Sequence, residues 1–110
     1  LRHRHLAPVD VLAEVETVLR DRLQQRPAGS YSLGLLTDSE LARRKIMEEA
    51  FELCLELGRE PVDSDRTAAE AADLLFHTLA GLVGAGVGLR DVLDALAARR
   101  GAPPADGRPA

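Results

Sequence analysis

Two acidic pairs are the residues of this chain best suited to chemistry: Glu49-Ala50-Phe51-Glu52 and Glu70-Ala71-Ala72-Asp73, with Glu48 as a fifth acid beside the first pair. On a helix, a spacing of three places both carboxylates of a pair on one face. Two such helices packed antiparallel would gather these carboxylates, and like charges brought together need a counter-charge. A hard divalent cation supplies it. Mg²⁺ in particular prefers oxygen ligands and keeps positions open for the phosphates of a substrate.

The elements that must hold these acids can be read from their flanks. The second helix is expected to start at a capping box, with Thr37 at the N-cap and Glu40 three residues on, and to run to about Leu57 with Gly58 as its stop. A turn containing Pro61 follows. Asp63, Ser64 and Asp65 are all suitable caps for a third helix, about Arg66 to Ala85, which Gly84, Gly86 and Gly88 break. A first helix from about Val9 to Gln25 precedes them, with Pro8 at its start and Val11, Val15, Val18 and Leu19 at helical spacing. Ser30 to Leu36 reads as a connecting loop or short turn. A fourth helix, about Leu89 to Arg100, presents Leu89, Val92, Leu93 and Leu96 on one side. The expected organisation is a flexible N-terminus over 1–8, a helical domain over 9–100, and a disordered Pro/Gly/Ala-rich tail over 101–110.

On the second helix, Glu48, Glu52, Lys45, Glu56 and Glu49 fall within an arc of about 100°. By itself this is also the pattern of an amphipathic helix with a solvated acidic face, and Lys45 can pair with Glu49. The third helix favours the metal. From Ala68 to Val83 it is apolar almost all round, apart from Thr78 and a narrow stripe of Glu70, Asp73 and His77. A helix so apolar should be buried, and a buried carboxylate must be paired or metal-bound. Few bases lie nearby in the sequence, so a metal cluster between the two helices is the economical reading. His77 reads as a core histidine hydrogen-bonded to Asp73 or to a partner chain, with metal binding or proton transfer as its alternatives. Lys45, on the acidic face, is a candidate to hold phosphate, whereas Arg43 and Arg44 read as surface.

Composition narrows the function classes. The 110 residues suit one small domain, and 45% are apolar with few aromatics, so the core must be aliphatic and helical. A core this small is often completed by oligomerisation. The net charge of −4, with its acids local rather than in a tail, argues against a nucleic-acid backbone binder. The single cysteine, Cys54, excludes an intramolecular disulfide and is expected as a small core residue. No stretch is long enough to span a membrane and residues 1–6 do not read as a signal peptide, so a cytoplasmic protein is expected.

The pattern Glu-x-x-Glu, a short spacer, then Glu-x-x-Asp resembles the all-α nucleoside triphosphate pyrophosphohydrolase superfamily. The closer resemblance is to the phosphoribosyl-ATP pyrophosphohydrolase family, the enzymes of the second step of histidine biosynthesis. It is carried by residues 26–32 (Arg-Pro-Ala-Gly-Ser-Tyr-Ser), 45–52 (Lys-Ile-Met-Glu-Glu-Ala-Phe-Glu), 70–77 (Glu-Ala-Ala-Asp-Leu-Leu-Phe-His) and 87–93, and covers about residues 9–100.

The resemblance implies an all-α, four-helix subunit that forms a helical bundle as a homodimer. It implies Mg²⁺, with Mn²⁺ as a substitute, and cleavage of phosphoribosyl-ATP to phosphoribosyl-AMP and pyrophosphate. Carried over residue by residue, Glu49, Glu52, Glu70 and Asp73 would hold the metal, and Glu48 and Glu49 would act in catalysis. Ser30, Tyr31, Lys45 and His77 would meet the substrate. The chain departs from the family at Met47, where glycine is common, and at Gly34, near a common lysine. It also departs at Gly81 and Gly84, where larger residues are usual and where glycine should weaken the helix by up to ~1 kcal/mol each. Two other readings stand beside this one: a paralogue acting on another nucleoside triphosphate or in a specialised pathway, and a non-catalytic helical dimerisation module.

Overall fold

A computed structural model describes residues 8–101, all of whose regular structure is helical. The helices are α1 (Pro8–Gln25), α2 (Tyr31–Thr37), α3 (Ser39–Leu57), α4 (Ser64–Gly84) and α5 (Leu89–Arg100). The all-α class is as expected, but there are five helices where the sequence suggested four. The expectations for residues 1–7 and 102–110 lie outside the described residues.

The extra helix is α2, read from sequence as a connecting loop or turn. Ser30 caps it, its Oγ accepting a hydrogen bond from Leu33 N at 3.1 Å. Seven residues with Gly34 in the middle carry little helical preference of their own. Packing supplies the rest, because Leu35 and Leu36 are both buried in the core. The turn before it is formed by Arg26 and Gly29, both at positive φ (54° and 75°). Extending the helical run to Thr37 also moves the cap of α3 by one residue. Asp38, not Thr37, is the N-cap, and its Oδ1 accepts from Leu41 N at 3.1 Å.

The other boundaries follow the local chemistry. Gly58 ends α3, and its N–H is donated back to the carbonyls of Cys54 and Leu55. Asp63 caps α4 through Arg66 N at 3.1 Å. Gly88 precedes α5, whose first turn is held by two carboxylates. Asp91 Oδ2 accepts from Gly88 N at 3.1 Å, and Glu16 Oε2, reaching from α1, accepts from Leu89 N at 2.7 Å.

The core lies around the C-terminal half of α4. Leu79, Ala80 and Val83 pack with Leu19 of α1, Leu35 and Leu36 of α2, and Leu89 of α5. Gly84 permits the closest approach: a Cβ there would lie 2.6 Å from the carbonyl oxygen of Leu36. The N-terminal half of α4 leaves this core, and the expectation of burial all round fails at Leu75, which is exposed. Cys54 is exposed as well, not a core residue. It belongs to a stripe on α3 with Met47, Phe51 and Leu55, of which Met47 is 73% and Phe51 63% exposed. No single described helix is long and apolar enough to cross a membrane.

Candidate metal centre

The six residues from Gly58 to Asp63 fold α3 back along α4 as an antiparallel hairpin, the most extensive helix pair in the fold. Near the turn, Glu56 meets Arg66. Two turns further along, Glu49 meets Glu70 and Asp73. One carboxylate oxygen from each of these three acids lies within 4.8 Å of the other two. Glu49 and Glu70 are half-buried, while Asp73 is exposed.

The electrostatics of this group are those of an uncompensated cluster. Partial loss of water, and then the charges of Glu52, Asp73, Glu49 and Glu56, push the Glu70 carboxyl above the usual carboxylate range. Among the described residues, no lysine, arginine or histidine nitrogen comes within 4.0 Å of the carboxylates of Glu52, Glu70 or Asp73. Three oxygen donors from rigid helices, short of positive charge, suit a hard divalent cation that retains water or phosphate in its other positions. Glu52 acts on Glu70 through its charge but stands outside the group of three.

Glu48 is separated from the cluster by Lys45. Lys45 Nζ lies 3.0 Å from Glu48 Oε1 and 3.9 Å from Glu49 Oε2. The hydrogen bond and charge of Lys45 hold Glu48 below the ordinary carboxylate range, and Glu48 in turn raises Lys45. Lys45 therefore bridges Glu48 and Glu49 at the rim of the site, with its ammonium beside the carboxylates.

The sequence reading understated the pairing of Glu56. It is only 4% exposed, with Arg66 Nη2 at 3.1 Å from Oε2 and Arg59 Nε at 3.0 Å from Oε1. The i,i+3 spacing of Glu56 and Arg59 was visible in the sequence. The contact with Arg66 was not, because it depends on the hairpin register. Glu56 is thus a structural acid at the closed end of the hairpin, and the shortage of bases is confined to the open end.

Ser30 and Tyr31 stand at the N-terminus of α2. The oxygen of Ser30 is engaged as the helix cap, leaving its hydroxyl hydrogen to donate. Tyr31 Oη lies 2.8 Å from His77 Nε2, and His77 Nδ1 lies 2.7 Å from the backbone oxygen of Asp73. The anticipated bond between His77 and Asp73 is present, through the main chain rather than the carboxylate.

Comparison with known proteins identifies the family. The sequence model of the family Phosphoribosyl-ATP pyrophosphohydrolase matches residues 12–100. A Phosphoribosyl-ATP pyrophosphatase from Methanoculleus marisnigri is 42% identical over 94 residues, spanning 83% of this chain and 95% of the relative. One from Caulobacter vibrioides is 40% identical over 92 residues, covering 84% of each chain. The Histidine biosynthesis trifunctional protein of Neurospora crassa is 42% identical over 88 residues, which span 80% of this chain and 10% of that protein. With the match extending from α1 through α5, the chain belongs to the phosphoribosyl-ATP pyrophosphohydrolase family.

Proposed function

We propose that the chain hydrolyses phosphoribosyl-ATP, adding water across the α–β phosphoanhydride to give phosphoribosyl-AMP and pyrophosphate, the second step of histidine biosynthesis. The observation that carries this reading is the convergence of Glu49, Glu70 and Asp73 within 4.8 Å, in a chain whose relatives are named for this activity. These three acids, with Glu52 beside them, would hold Mg²⁺ or, in its place, Mn²⁺. When bound, the ion supplies Lewis-acid neutralisation of the phosphate charge.

The chain's own groups do the rest. Lys45 meets the remaining phosphate charge at the rim. Glu48, kept ionised by Lys45, accepts a hydrogen bond from the attacking water and orients it. Glu49 shares the cluster and the Lys45 contact, which joins water positioning to metal binding. Ser30 donates to substrate from the start of α2. No protein nucleophile is used.

The working unit in this reading is a cytoplasmic homodimer. Its support is the exposed stripe of Met47, Phe51, Cys54 and Leu55 on α3, with Leu75 exposed on α4. Large apolar side chains left exposed in a subunit this small mark an association surface.

The test is a substrate panel with pyrophosphate detection in the presence of Mg²⁺. Release from phosphoribosyl-ATP supports the proposal. Release only from ordinary nucleoside triphosphates rejects it in favour of a paralogous activity. Absence of both turnover and Mg²⁺ binding would leave a helical dimerisation module.

A further inference from the structure

His77 is 7% exposed, and both of its ring nitrogens are engaged. A carbonyl oxygen can only accept, so Nδ1 carries a proton and donates it to the main chain of Asp73. In the neutral ring Nε2 is then a bare acceptor, and the Tyr31 hydroxyl donates to it. The imidazole has no lone pair left to offer a metal or a substrate. It connects α4, at the residue bearing a candidate metal ligand, to the first residue of α2.

Tyr31 gains most from this contact. Its residue is 54% exposed, so little else fixes the ring. It meets His77 edge-on, with ring centroids 5.8 Å apart and planes at 79°. Its surroundings are those of the site: Tyr31 lies within electrostatic reach of Lys45, and His77 of Glu48. Of the other two phenyl rings, Phe76 packs against the core and Phe51 belongs to the exposed stripe on α3. Tyr31 is therefore the aromatic surface available to a nucleotide whose phosphates lie at the carboxylates. Its hydroxyl hydrogen is already donated, so beyond an oxygen that can accept, the ring is what it offers. An aromatic face stacks on any nucleobase.

We propose that His77 is a positioning residue that holds the Tyr31 ring at the rim of the acidic cluster to receive the purine of the nucleotide. This rests on the function proposed above and adds a division of labour: carboxylates for the phosphates, Tyr31 for the base, and His77 acting only through Tyr31.

The test compares Tyr31→Leu, Tyr31→Phe, His77→Leu and His77→Gln in the full chain, by steady-state kinetics on phosphoribosyl-ATP and calorimetric titration with Mg²⁺. Loss of one base–aromatic stack corresponds to a rise in KM of roughly fivefold to a hundredfold. Tyr31→Leu and His77→Leu should both show it with kcat and Mg²⁺ affinity little changed. His77→Gln, which keeps an acceptor near the position of Nε2, should recover part of the loss. Tyr31→Phe, with the ring but not its tether, should fall between wild type and Tyr31→Leu. A fall in kcat at constant KM, or a loss of Mg²⁺ affinity in His77→Leu, would overturn the proposal by showing that His77 works through Asp73. If wild type does not turn over phosphoribosyl-ATP, the enzymatic reading fails separately, and titration with ATP then decides. Weaker ATP binding by Tyr31→Leu would sustain the assignment of the ring, whereas equal binding, or none by wild type, would overturn it.

Discussion

Alanine at Gly84 tests the close approach of α4 to α2. A methyl group there would lie 2.6 Å from the Leu36 carbonyl oxygen, 3.2 Å from its carbon and 3.3 Å from its Cα. All three are main-chain atoms, so relief requires α2 to move away. Overpacking of this kind costs about 1–3 kcal/mol. The gain in helix preference opposing it is at most about 1 kcal/mol, and less at the last residue of a helix. The expected net loss for Gly84→Ala is therefore roughly 1–2 kcal/mol, a melting temperature lower by about 4–8 °C per kcal/mol in a domain of this size. Gly81→Ala is the matched control. Its added Cβ would meet the tip of Ile46 at 3.1 Å, a flexible side chain that can yield. That variant should be neutral or more stable by roughly 0.5 kcal/mol. Far-UV circular dichroism during denaturation, at one protein concentration so that association does not distort the comparison, measures both. Because α2 is short, displacement at Leu36 should reach Tyr31 and raise KM in Gly84→Ala as well. Gly84→Ala as stable as wild type would refute the argument, since the two helices could not then be so close.

Four further outcomes are expected. Glu49→Gln should retain wild-type helicity but lose cation binding. Mg²⁺ at a hundred times its Kd should stabilise wild type by about 2.7 kcal/mol in thermal melts and leave the variant unmoved; equal shifts would contradict the assignment of the cluster. The Leu89 N–H, assisted by Arg20, holds Glu16 below the ordinary carboxylate range. Its stabilising contribution is therefore present above the unfolded-state value and lost as pH falls through the lowered folded value. Glu16→Gln should cost about 1–2 kcal/mol near neutrality and flatten the decline toward acid, read from denaturation midpoints across pH. Arg66→Ala leaves the buried Glu56 with Arg59 alone and should cost about 1–3 kcal/mol in the same denaturation assay. Arg90→Ala, which removes an exposed pair with Asp94 at 3.8 Å, should change stability by less than about 1 kcal/mol.

The parts of this architecture legible in the sequence are those governed by local chemistry. Gly58, Asp63 and Gly88 act within one turn of their own positions, so the end of α3 could be read directly and the starts of α4 and α5 to within about two residues, Asp63 being one of three candidate caps. The acidic arc was legible because helical spacing alone places its members. What escaped depends on contacts distant in sequence. Residues 31–37 become a helix because Leu35 and Leu36 find the core, not because of their own preferences. Cys54 and Leu75 have apolar neighbours along the chain, yet the folded subunit leaves both exposed. Glu56 resembles Glu49 and Glu52 in sequence, and only the register that brings Arg66 opposite it distinguishes a structural acid from candidate ligands. Glycine at 84 read as a weakness of the helix, whereas its missing side chain is what admits the Leu36 carbonyl.

The converging carboxylates all arise within one hairpin, between Glu49 and Asp73. No polypeptide joined outside that interval has to be threaded between them, and none of the three acids must be imported from a distant segment. A unit built this way is portable: it can be spliced into a longer polypeptide without its acidic cluster being redesigned. The matched stretch is nearly the whole of the Methanoculleus marisnigri protein and a tenth of the Neurospora crassa trifunctional one, as such portability would allow.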